Sequence, residues 1–131
     1  MAAYVRFPPI ADLRLAGHQC IMESPELISL GETLVEARDL LRKYGDRYVS
    51  ARLDDLVRRL ALPDTTVVQS ALSEATGSMG SLKDRWLCAA NGDAIRTDEE
   101  WSVNRDLDVL VSEIERRSRV AAAACGIKLV G

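Results

Sequence analysis

The stretch Gly77-Ser78-Met79-Gly80-Ser81-Leu82-Lys83 sets glycines and serines ahead of a lysine, the residue types that wrap a phosphate and balance its charge. A Walker-type cradle needs a glycine, four residues and then Gly-Lys-Ser/Thr, so that amides surround the phosphates and the lysine reaches them. Here a leucine precedes the lysine, the spacing differs, and no GxGxxG follows. A looser anion site remains, with the amides of Gly80 to Lys83 at a helix start facing a carboxylate or phosphate. The plainer reading is a structural corner. Gly77 then ends a helix with positive φ, Ser81 starts the next element, Met79 and Leu82 enter the core, and Asp84 caps or forms a salt bridge. The corner is the better reading.

Other chemistry finds less to stand on. The serines do not form GxSxG. A serine or cysteine nucleophile needs a base, and the one histidine, His18, lies in an irregular leading segment. Cys88, beside Leu87 and two alanines, reads as a small buried residue. Carboxylates cluster at Asp54-Asp55, Asp98-Glu99-Glu100 and Glu113/Glu115, and Glu32 and Glu36 share a helix face. No Glu-x-x-His unit accompanies them, so a di-iron site lacks its signature. We expect no catalytic residue, no metal and no cofactor.

The net charge of −3 over 131 residues withholds the electrostatic attraction behind most nucleic-acid affinity. It equally disfavours anionic membranes, and no run approaches the roughly 20 apolar residues of a membrane span. An acidic chain is compatible with a basic protein partner. Cys20, Cys88 and Cys125 are odd in number and widely spaced, which reads as three free thiols in a reducing cytoplasm.

Most of the chain has helical periodicity. Residues 1–23 read as irregular, and 24–131 as a single helical domain. Ser24 caps and Pro25 opens a first helix, Ser24 to Tyr44, whose stripe is Leu27, Leu30, Leu34, Ala37 and Leu41. Gly45 stops it. A second helix, about Asp46 to Ala61, carries Val49, Leu53, Leu56 and Leu60. Asp64 or Thr65 caps a short third with Val67, Val68, Ala71, Leu72 and Ala75. A last helix opens on a capping box of Thr97 and Glu100 and runs through Val103, Leu107, Leu110, Ile114 and Ala121 towards Gly126. The sum is an all-α, compact bundle of four to five helices with a glycine-rich corner. Residues 82–96 read two ways. Leu82–Ala90 is a helix, which we favour, or Asn91-Gly92 turns a small hairpin.

Two resemblances add to this. "YVRFPPIAD" resembles a translated upstream or repeat sequence, which implies Met22 as the native start; the rival view is an arm that packs through Val5, Phe7 and Ile10. "GSMGSLKDRWL", then "NGD" and "EEWSVNRDLDVLVSEI", resembles a family of small bacterial domains of unknown function with a GxMGSLxD turn. The matching residues are Met79, Gly80, Ser81, Leu82, Asp84, Asn104 and Leu107, within a likeness spanning about Ser29 to Ala124. It departs at Lys83, where the pattern has asparagine, so no polar role carries over there. Such families are similar to immunity proteins of polymorphic toxin systems. The resemblance implies a non-enzymatic protein that neutralises a toxin, and the acidic charge suits a basic one. The rival is a self-associating helical module whose apolar stripes pair across a dimer, so the chain is a monomer or a homodimer. On the immunity reading Trp86 and Trp101 are candidate anchors, though each taken singly also fits a partly buried core position. Ser81, Asp84, Arg85 and Asn104 complete the candidate binding set, with Arg85 and Arg105 read equally as rim contacts or as plain solvated charges.

Overall fold

A computed structural model describes residues 24–77 and 79–130. The expectations for residues 1–23, including the role of Met22 and the packing of Val5, Phe7 and Ile10, lie outside the described residues. The rest is an all-α bundle of four helices: α1 (Pro25–Lys43), α2 (Arg47–Leu60), α3 (Val67–Thr76) and α4 (Glu100–Cys125). α1 packs against α2 and α4, and α4 also packs against α3.

Local signals set the helix boundaries. The Ser24 hydroxyl accepts the Glu26 N–H at 3.2 Å, with Pro25 in the first turn, and Arg42 and Lys43 sit at the negative end of α1. Gly45, at φ +90°, breaks the path. Asp46 then caps α2 by accepting the Val49 N–H at 2.9 Å. Asp64 takes the Thr66 N–H at 2.9 Å just before α3, and Gly126, at φ +68°, ends α4.

The expected stripes are the core. Leu30, Leu34, Leu41, Leu53, Val67, Val68 and Ile114 are fully buried, each worth roughly 1.5–3 kcal/mol against exposure. On α4 the inward register favours Val111 over Leu110, which is half-buried.

The segment between α3 and α4 departs from expectation. Residues 82–96 form neither a helix nor a hairpin. They hold 3₁₀ turns at Leu82–Asp84 and Ala89–Asn91, with Arg85–Cys88 in no regular element between them, and a third turn follows at Thr97–Glu99. Asn91-Gly92 does reverse the chain: Gly92 is left-handed, and the Asp93 N–H reaches the Cys88 carbonyl at 3.2 Å.

The corner differs in detail too. Gly77 has φ −70°, so it does not end α3 in the left-handed region; a Cβ there would stand 2.5 Å from the Ser73 carbonyl oxygen. Gly80 carries the positive φ, +89°. Leu82 is buried as expected, but Met79 is 95% exposed, because the turn directs it outward. Asp84 caps the turn by accepting the Gly80 N–H at 3.3 Å. At the last helix the capping box slips back by one residue. Glu99 takes the Arg96 N–H at 2.9 Å, which frees Glu100 to bind elsewhere.

We expect Leu34→Ala to lower the unfolding free energy by about 2–5 kcal/mol, read as a lower urea midpoint at unchanged m-value. A loss below about 1 kcal/mol would show that α1 does not lie at the centre of the core.

Candidate functional site

The long connection between α3 and α4 needs a reason to hold one shape, because irregular segments of this length are uncommon in compact domains. Two side chains supply it.

Asn104, buried on the first turns of α4, treats Leu87 as a neighbouring strand would. Its Oδ1 accepts the Leu87 N–H at 2.7 Å, and its Nδ2 donates to the Leu87 carbonyl at 2.7 Å. The same Nδ2 donates to the Glu100 carbonyl at 2.8 Å, which fixes the amide's orientation on the helix. Leu87 itself is fully buried. Both of its backbone polar groups thus have partners in an apolar setting, where an unmet group costs about 1–3 kcal/mol.

Arg85 provides the second attachment. Its Nε donates to Asp46 at 2.9 Å and its Nη2 to Asp93 at 2.7 Å, while Nη1 donates to the Trp86 carbonyl at 2.8 Å. Both carboxylates are nearly buried, their side chains 5% and 8% exposed. Asp46 therefore caps α2 with one oxygen and holds the loop with the other. Asp93 also accepts the Cys88 N–H at 2.9 Å. Burial pushes the Asp93 carboxyl up, but the hydrogen bonds from Arg85 and the Cys88 amide, with the Arg85 charge, outweigh it and hold it below its usual range.

Further bonds complete the frame. Ala94 N–H meets the Tyr44 carbonyl at 2.9 Å, Ala89 N–H meets Glu100 Oε2 at 2.9 Å, and the Tyr44 hydroxyl meets Glu99 at 3.3 Å.

Between the two anchors the backbone turns Trp86 outward, 49% exposed, beside Trp101, which is 70% exposed at the start of α4. The core reading of the tryptophans is thereby corrected: Arg85 and Leu87 occupy the inward positions, and Trp86 takes the outward one. Both rings line one groove of about 360 Å³, floored by Leu82, Asn104, Leu107 and Val111. Lys83, Arg105 and Asp108 stand at its edge. Four of the six candidate binding residues, Trp86, Trp101, Arg85 and Asn104, thus meet at one place.

The other two do not. Ser81 is buried without a hydrogen-bond partner for its hydroxyl among the described residues. It borders a separate depression beside Arg52 and Glu74, which are themselves paired at 2.7 Å. Asp84 closes the turn over the Gly80 amide.

Asn104 and Arg85 also change in role. They hold the site and do not offer free polar contacts to a partner. The sequence reading leaves Lys83 outside the binding set, gives Asp46 only a helix start and does not single out Asp93. The Asp46 helix start was the one visible hint; the Arg85 link joins residues 39 apart and leaves no local signal.

A larger apolar groove of about 640 Å³ lies between α1 and α2, with Ile28 and Val57 in its walls and no aromatic side chain among the described residues that line it. Among the described residues no group of three or more His, Cys, Asp or Glu could hold a metal ion. No helix there is long and apolar enough to cross a membrane. Cys88 is free, but Cys125 is disulfide-bonded, which corrects the reading of three free thiols. Pairing is set by the distances the fold creates, not by sequence spacing, and thiol content no longer argues for a reducing compartment. No protein-family model, curated protein or solved structure matches this chain.

Two outcomes follow. Asn104→Leu should cost at least about 2 kcal/mol, since both Leu87 groups lose their partners; an unchanged urea midpoint would contradict the clamp. The acid limb is the second. Asp93 is held below its ordinary pKa, and Asp64 sits at about 2 through Thr66 and Arg59. Carboxyls depressed in the fold contribute stability that is complete above their unfolded values and is lost as pH falls through the folded ones. Urea midpoints should therefore fall between about pH 4 and pH 2, and less steeply in Asp93→Asn.

Proposed function

We propose that this chain is a non-enzymatic domain that binds another protein through the Trp86–Trp101 groove. The observation that carries the reading is the pair of exposed tryptophans on one groove whose backbone is fixed from below. Tryptophan is enriched among interface hot spots, and an anchor held rigid before binding loses little entropy on docking. A ring left half in water on a pinned loop does nothing for the core.

The sharpest version is an immunity-like protein that neutralises a bacterial toxin. It needs a stable scaffold and a complementary surface, and no chemistry. The net charge of −3 favours a basic toxin overall. The rival anion site at Gly77–Asp84 is weakened because the Asp84 carboxylate already takes the Gly80 amide. Self-association is the second reading, favoured by Trp101, Val109 and Val120, all exposed along α4.

An immunity gene should lie directly downstream of a toxin gene, and co-expression with the product of such a gene tests the reading. The parent chain should restore growth. The double variant Trp86→Ala, Trp101→Ala should weaken toxin binding by at least about 30-fold, as loss of a hot spot of about 2 kcal/mol implies, with its circular dichroism unchanged. Full protection by that folded variant would show that the groove is not the binding surface.

A further inference from the structure

We infer that the Trp86–Trp101 groove receives an acidic segment of the partner, one that carries an apolar anchor. The inference rests on the protein-binding reading and adds the chemistry of the partner's contact segment.

Charge at the groove differs from charge over the chain. Arg85 offers none outward, since Asp46 and Asp93 hold its guanidinium. Lys83 and Arg105 are exposed at the rim and form no ion pair among the described residues. Asp108 is the single acid lining the groove among the described residues. The rim therefore carries two uncompensated cations against one carboxylate, on a chain whose net charge is −3.

A partner seated on the two rings would strip water from Lys83 and Arg105. An apolar or basic segment would leave those cations desolvated and unpaired, or facing like charge. Carboxylates placed beside an apolar side chain satisfy both demands: the anchor fills the slot over Leu82, Leu107 and Val111, and the acids meet the two cations. The volume of about 360 Å³ is at the low end for ligand sites and suits a few anchoring side chains.

Both tryptophans of the chain line this groove, so tryptophan emission, excited selectively over tyrosine, reports on this site. The probe is an acidic peptide of roughly 14 residues, rich in glutamate, with leucine and phenylalanine at i, i+3 and i+7. Its counterpart replaces every glutamate with lysine. The acidic peptide should shift tryptophan emission to the blue, with affinity falling as salt rises. It should lose at least about tenfold in the double variant K83E, R105E. The lysine peptide should cause no shift.

Equal or tighter binding of the lysine peptide, binding of neither, or acidic binding untouched by K83E, R105E would each overturn the inference. So would light scattering at twice 14.4 kDa that reverts to the monomer in Trp101→Ala, because a second copy would then fill the groove. The two readings fail separately. If the toxin partner is still held after both tryptophans become alanine, the groove reading is lost. If it is lost there but kept by K83E, R105E, only the acidic segment is wrong.

Discussion

The shape of the molecule outside its helices depends on a buried amide. Asn104 meets both backbone groups of Leu87 at 2.7 Å, so a stretch with no strand partner is held as though it had one. A buried peptide group cannot go unpaired cheaply. Few side chains carry a donor and an acceptor in the fork this needs; asparagine does, and it is short enough to remain on the helix surface. A leucine there would fit the apolar surroundings and leave the Leu87 groups unmet.

From this clamp the rest follows in order. With Leu87 inward, Trp86 must face out and Arg85 must face in, where Asp46 and Asp93 receive it. Asp46 belongs to the start of α2 and Asn104 to α4, so the irregular segment ties two helices that pack mainly through α1. The network holds one cation between two carboxylates, with each carboxylate also accepting a backbone N–H. Such an arrangement gives position more than net stability. Its product is a tryptophan presented at a fixed angle beside a second one.

The sequence makes the helices legible and the segment between them obscure. Leu27 to Leu41 lie at spacings of three and four, Ser24-Pro25 and Asp46 announce starts, and Gly45 and Gly126 announce stops; these are local signals, and each holds in the structure. Residues 82–96 have no comparable local logic. Their conformation comes from Asn104, Asp46 and Glu100, residues distant in sequence, so propensity offered helix or hairpin and neither forms. The candidate residues were partly legible for the same reason. Residue type singled out Trp86 and Trp101, but only tertiary structure shows that they share a groove, that Asn104 and Arg85 work from beneath it, and that Ser81 and Asp84 stand apart.

Amide hydrogen exchange at Leu87 tests the central claim most directly. If Asn104 clamps the segment, the Leu87 N–H exchanges as slowly as the amides of Leu107 and Val111 in the middle of α4, because it opens only when the helix does. Exchange at the rate of an open loop, while α4 stays protected, would contradict the account.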